Sequence, residues 1–223
     1  MSDLDRPVWA SLQQQPHWGI GDERARRFKP EINRFAATRG DDATCLAALE
    51  ALLSPGDDVV YLLQVPRIVV PPNLEVLKQA SAVQLMASRP LEPDSDVEVL
   101  GDADAADMLA LAALTEPGPF FARTHTMGRF IGVRDGGRLV AMAGERLRFA
   151  GHVEVSGVCT HPEFRGRGLA RRLSAAVTAE IQRRGKQAFL HAWTRNTAAI
   201  ALYQSLGFVQ RAEVNLAVLR RPL

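Results

Sequence analysis

The sequence predicts an α/β protein of the α+β kind, with a mixed, mostly antiparallel sheet flanked by helices. Apolar runs of strand length alternate with helical periodicities along the 223 residues. Asp135-Gly136-Gly137 separates Phe130-Ile-Gly-Val-Arg from Arg138-Leu-Val-Ala-Met-Ala-Gly-Glu, a hairpin signal that makes these two strands antiparallel. The stretch from Val155 to Arg172 starts as an apolar strand, is stopped by Pro162 and passes through two glycines and four arginines into a helix. Helices connecting such strands belong on both faces of a mixed sheet.

Taken in order, residues 1–29 are polar and aromatic by turns and predict a short helix and loop. From Pro30 to Leu53, Ile32, Phe35, Ala36, Leu46, Leu49, Leu52 and Leu53 recur at helical spacing, with Asp41-Asp42 as an interruption or a new cap. Ser54-Pro-Gly-Asp-Asp breaks that helix, and Val59-Val-Tyr-Leu-Leu-Gln-Val reads as a buried strand. A short helix near Asn73–Gln79 and a strand at Ala82–Ala87 follow. Pro90-Leu-Glu-Pro-Asp-Ser-Asp, rich in proline and acid, is the expected linker between domains at 1–90 and 91–223.

Beyond it come a strand at Val97–Leu100, an Ala/Leu-rich helix from Asp102 to Leu114 ended by Pro117-Gly-Pro, a short segment at Phe120–Thr126, the hairpin, and a strand at Val153–Thr160. The helix with Leu169, Leu173, Ala176, Val177 and Ile181 apolar ends at Arg184-Gly185, where basic residues and a glycine suit a C-terminus. Ala188–Trp193 is a strand, Asn196 caps a helix over Thr197–Leu206, and strands around Phe208 and Val214–Leu219 close the chain.

Composition excludes several classes. Hydrophobic residues at 47% and charged residues at 23% suit a globular protein that buries a sizeable core. A net charge of +2 gives no general reason to expect nucleic acid or an anionic membrane as partner. Two cysteines, Cys45 and Cys159, make neither a disulfide framework nor a zinc site, and His125, His152, His161 and His191 lack metal-ligand spacing, so no metal is expected. No run approaches the ~20 apolar residues of a membrane span, and the start lacks the layout of a secretory signal, so a cytoplasmic location is expected.

The chemistry concentrates at Arg165-Gly-Arg-Gly-Leu-Ala. A strand that ends in a basic, glycine-containing turn opening a helix gathers free backbone N–H groups, the positive end of a helix dipole and guanidinium groups, which suits a phosphate. This hexapeptide fits the Arg/Gln-x-x-Gly-x-Gly/Ala signature of the GNAT acyltransferase superfamily. Asn196-Thr-Ala-Ala-Ile-Ala-Leu-Tyr-Gln-Ser-Leu-Gly-Phe resembles the second motif of that family, Asn-x-x-Ala-x-x-x-Tyr-x-x-x-Gly-Phe. The resemblance covers roughly residues 95 to 221 and looks most like the glycine N-acyltransferase branch, in which the N-terminal half is commonly a degenerate relative of the catalytic domain.

The resemblance implies an N-acyltransferase that takes acetyl-CoA or another acyl-CoA as co-substrate and a small-molecule amine or amino acid as acceptor, whether monomer or homodimer. It places the pyrophosphate on the N–H groups of Arg165, Gly166, Arg167, Gly168, Leu169 and Ala170, and the pantetheine arm along Val155–Cys159, with Val158 facing the thioester oxygen and Asn196 near the cofactor. It makes Tyr203 the general acid at the sulfur. For the base, strand alternation puts Glu154 on the face of Ser156 as the first choice, acting directly or through water, with Glu145 as its rival. Cys159 reads as a small buried residue more readily than as a nucleophile, and Trp193 and Phe208 as core or pocket wall. The alternatives are a silent acyl-CoA-binding module and an acyltransferase acting on a protein amino terminus or lysine.

Overall fold

The structure, a computed structural model, describes residues 2–92 and 96–223, so part of the expected linker, residues 93–95, lies outside the described residues. In chain order the elements are α1 (Pro7–Gln14), β1 (Gly19–Gly21), β2 (Ala25–Phe28), β3 (Ala36–Thr38), α2 (Ala43–Ala51), β4 (Val59–Gln64) and β5 (Glu75–Ala87). Then follow β6 (Glu98–Leu100), α3 (Ala105–Thr115), β7 (Phe130–Asp135), β8 (Arg138–Phe149), β9 (His152–Thr160), α4 (Leu169–Arg183), β10 (Gln187–Trp193), α5 (Thr197–Ser205) and β11 (Phe208–Arg220).

An eight-stranded sheet has the order β4-β11-β5-β10-β9-β8-β7-β6, and β1, β2 and β3 form a small antiparallel sheet of their own. Every pairing in the large sheet is antiparallel except β9 with β10. Strands from both sides of residue 90 share this sheet, since β5 lies between β11 and β10.

Local signals hold where they are strong. Gly136 and Gly137 turn the β7–β8 hairpin with positive φ, Asp42 caps α2 by accepting from the N–H groups of Thr44 and Cys45, and Gly185 ends α4 at φ 68°. Four expectations are overturned, the first at residues 19–21 and 25–28, which are the paired strands β1 and β2 and not loop. Residues 36–38 are a strand paired with β2, so the helical spacing before Asp41 is too short a run to resist tertiary pairing. The helix expected at Asn73–Gln79 is the exposed first half of the 13-residue β5, held by its ladder to β11. The two closing strands are one strand, with the register slipping between Gln210 and Ala212.

Two layers cover the large sheet. On one face, Val8, Trp9, Leu12, Phe28 and Phe35 pack on Leu63, Ala82, Phe149, Phe189 and Leu216, with Met108 and Leu111 of α3 alongside on Met142. On the other, Leu173, Val177 and Ile181 of α4 pack on Val83, Leu85, Ala141, Val155 and Leu190, and α5 adds Leu202 and Tyr203. Among the described residues no helix is long and apolar enough to cross a membrane.

The parallel pair positions the site. β9 and β10 are registered only through His152–Glu154 and Gln187–Phe189, and beyond these residues each strand stays with its outer neighbour. The two strands therefore splay apart, opening a cleft in the middle of the sheet.

Candidate active site

The cleft measures about 740 Å³ and is walled by Val158, Cys159 and Thr160 of β9 on one side and His191, Ala192 and Trp193 of β10 on the other. Its floor towards the helical layer is the start of α4. Gly168, the N-cap, sits at φ 75° and has no side chain to cap the first-turn N–H groups, and Gly168, Leu169 and Ala170 of this turn line the cleft. Gly166 is also left-handed, at φ 78°, and a Cβ on either glycine would meet no protein atom within 4 Å. The space over this turn is open, so these glycines serve the backbone conformation and close approach of something other than protein.

Arg165, Gly166, Gly168, Leu169 and Ala170 line the cleft with Val158, Cys159, Asn196 and Tyr203. Arg167 does not; its guanidinium stacks over the Phe164 ring at 4.6 Å. Asn196 caps α5, its side chain accepting from the Ala199 N–H at 3.1 Å. Two helix N-termini thus converge on one end of the cleft.

In β9, Gly157 and Val158 together face the single Ala143 of β8, a bulge that interrupts the ladder beside the cleft. Gly157 takes φ 63° there, and a side chain would strike the Phe130 ring at 2.9 Å. Tyr203 stands across from the bulge on α5, its ring edge-on to Phe208 at 5.9 Å. Burial pushes its phenol up to about 12 against a smaller opposing effect of the neighbouring Ser174 hydroxyl, so the group keeps its proton throughout the neutral range. Burial likewise pushes the Cys159 thiol up to about 11, which leaves almost no thiolate and removes it as a nucleophile.

Neither glutamate lines the cleft. Glu145 points to the helical layer, where it pairs with Arg184. Glu154 is fully buried rather than half-exposed. A second bulge sets Arg146 and Leu147 opposite Glu154, and the Arg146 guanidinium grips its carboxylate with Nε and Nη2 at 2.8 and 2.7 Å. The Leu147 N–H and His191 Nδ1 complete the ring of donors, the latter at 2.7 Å.

Burial would raise the Glu154 carboxyl, but the Arg146 charge and hydrogen bonds, with the hydrogen bond from His191, hold it down to about 2. It stays ionised and committed. His191 was legible as a residue near the cleft because it ends a strand, and it lines the cleft; Arg146 was not, since the signal available was a charged residue at each of two facing strand positions, and only the bulge brings them together. Among the described residues no group of three or more His, Cys, Asp or Glu is arranged to hold a metal.

The Glu154 pair has a stability consequence. Its carboxyl lies below the ordinary 4.5, so the stabilisation is complete above pH 4.5 and is lost as pH falls from there through 2. The shift corresponds to about 3 kcal/mol. Glu154→Gln is expected to lower stability at pH 7 by about that amount and to flatten the acid limb, as read from urea unfolding at pH 7 and pH 3.

Residues 130–217, from β7 to within β11, match the FR47-like protein family. A crystal structure from Novosphingobium aromaticivorans, assigned as a GNAT-family acetyltransferase, is 40% identical over 100% of both chains with a TM-score of 0.94. The chain is 39% identical to the N-alpha-acetyltransferase RimI of Mycobacterium tuberculosis over 82 residues, 35% of this chain and 51% of that protein. It is 48% identical to the mycothiol acetyltransferase of Thermobispora bispora over 61 residues, 27% of this chain and 20% of that protein. The matches thus span about half and about one-fifth of the length of these two curated relatives.

Proposed function

The chain belongs to the GNAT family of acetyltransferases, and on that premise we propose that it moves an acetyl group from acetyl-CoA to the nitrogen of a small primary amine, by direct transfer with both substrates bound. The observation that carries this is the open, uncapped start of α4 facing the protonated Tyr203 phenol across one cleft. The turn fits a pyrophosphate: positive φ at Gly166 and Gly168, no protein atom over either, and the helix dipole behind them.

Acetyl-CoA supplies the activated acyl group when bound; the chain supplies orientation and protons. The Arg165 N–H, expected among the pyrophosphate donors, is spent on the Pro162 carbonyl at 3.2 Å, so the N–H groups of Gly166 to Ala170 hold the pyrophosphate with the exposed Arg165 guanidinium beside them. The edge of Val158–Cys159, freed by the splay, aligns the pantetheine arm as an added strand would. The Val158 N–H, released from the ladder by the bulge, donates to the thioester oxygen as negative charge grows on it.

The C–N bond forms as the C–S bond breaks. Tyr203 gives its proton to the departing sulfur and recovers one from solvent, while the amine nitrogen loses its proton to water at the cleft mouth. Glu154 works at one remove, fixing Arg146 and His191 in the wall rather than meeting the amine. Residues 1–90 act as the acceptor-side wall of the catalytic unit 91–223, contributing Phe35, Leu63 and Ala82 to the cleft.

A second reading, transfer to the amino terminus of a protein, is favoured by the similarity to the N-alpha-acetyltransferase RimI. Release of free thiol from acetyl-CoA, screened over amino acids, amines and short peptides, tests the proposal. Amine-dependent release supports it. Binding of acetyl-CoA with no release to any acceptor assigns the chain as a silent acyl-CoA-binding module.

A further inference from the structure

We infer that the acceptor is an α-amino carbonyl compound with an apolar side chain, as in an amino-acid amide or a peptide amino terminus, and that Arg146 receives its carbonyl oxygen; this rests on the acyl-transfer reading of the same cleft. The hydrogen-bond network around Arg146 and His191 carries it.

Two nitrogens of Arg146 are spent on Glu154, and its guanidinium carbon lies 4.9 Å over the Phe35 ring. Nη1 makes no hydrogen bond among the described residues, and Arg146 lines the cleft. One N–H donor group therefore remains available on the acceptor side.

The charge of this wall follows from Gln84, which is fully buried. Its Oε1 accepts from Arg211 Nη1 at 2.9 Å, and its Nε2 donates to the Leu4 carbonyl at 2.9 Å. A guanidinium only donates and a carbonyl only accepts, so the amide cannot be reversed. The same Nε2 lies 3.1 Å from His191 Nε2, which must then be the accepting nitrogen, and His191 carries its proton on Nδ1, facing Glu154. The imidazole is neutral, with both nitrogens committed.

Arg146 and Glu154 therefore cancel within the buried part of the wall, which keeps one donor to spare, while the exposed Lys78 ammonium lies outside it, 5.9 Å from the Trp193 ring centre. A free carboxylate would bring an uncompensated charge into it, whereas a carbonyl oxygen would not. Around that donor Phe35, Leu63, Ala82, Leu216 and Trp193 give an apolar surface that suits an apolar side chain.

The same network disfavours strongly basic amines. Both Glu154 oxygens are occupied, so no buried carboxylate beside Arg146 is free to meet an ammonium; Glu116, the carboxylate that lines the cleft, is exposed to solvent. At pH 7.5 an α-amino group beside an amide carbonyl, with a pKa of about 8, is about one-quarter neutral, against about one part in 800 for a lysine-like amine near 10.4.

Thiol release from acetyl-CoA at pH 7.5 tests this with leucinamide, a Leu-Ala-Ala peptide, leucine, isopentylamine and spermidine. The expected result is kcat/KM for leucinamide or the peptide at least tenfold above the other three, and a fall of about tenfold in the leucinamide-to-isopentylamine ratio in Arg146→Lys, which keeps the charge for Glu154 but lacks the forked donor. If that variant does not fold, the acceptor series on the native protein decides alone. Isopentylamine or spermidine matching leucinamide overturns the inference, as does leucine matching it, while each leaves acyl transfer standing. No thiol release with any acceptor overturns the acyl-transfer reading itself.

Discussion

Replacing Tyr203 with phenylalanine is expected to lower turnover about a hundred- to ten-thousandfold, the usual worth of a positioned proton donor, with acetyl-CoA affinity nearly unchanged. A thiolate leaving a thioester needs a proton, and on the cofactor side of the cleft the Tyr203 phenol keeps one throughout the neutral range, as the Cys159 thiol does; the phenol is the group on α5, across the cleft from the β9 edge proposed for the pantetheine arm. Phenylalanine keeps the ring contact with Phe208 and removes only the hydroxyl, so the fold is preserved. Because the phenol lies near 12, the native rate should also show no loss from tyrosine ionisation up to about pH 11. Equal turnover in the two proteins removes Tyr203 from the mechanism.

Gly168→Glu is expected to abolish acetyl-CoA binding, weakening it by about a thousandfold or more. Two charge-assisted hydrogen bonds at about 2 kcal/mol each would be lost from the turn. The Cβ enters open space, so the protein accommodates it at the roughly 1 kcal/mol cost of a left-handed side-chain residue. The added carboxylate then sits on the positive end of the α4 dipole, in the place proposed for the pyrophosphate. Isothermal titration with acetyl-CoA, alongside circular dichroism to confirm the fold, measures this effect.

What was legible in the sequence was local. The Asp135-Gly136-Gly137 turn, the caps Asp42 and Asn196, and the strand-turn-helix at Arg165–Ala170 each depend on a few neighbouring residues whose conformation is nearly dictated by their chemistry. The first half of β5 was misread because Glu75–Ser81 carries no pattern that separates helix from exposed strand; β11 decides it from far along the chain. Arg146 and Glu154 show the same limit at the site. Alternation alone put Glu154 on the face of Ser156 as a base, whereas a bulge in β8 sets Arg146 against it and buries its carboxylate away from the cleft. The acceptor-side wall was least legible, since Phe35, Leu63 and Ala82 come from three separate segments that meet only across the folded sheet.

The most direct test of the central claim is the thermal unfolding of the unaltered protein with and without acetyl-CoA. At a hundredfold excess over Kd a ligand adds about 2.7 kcal/mol, which for a chain of 223 residues corresponds to a rise in Tm of about 5–10 °C. That rise, absent with the nucleotide-free pantetheine thioester that cannot engage the Arg165–Ala170 turn, is the predicted result. An unchanged Tm with acetyl-CoA and with longer acyl-CoAs at millimolar concentration would contradict it.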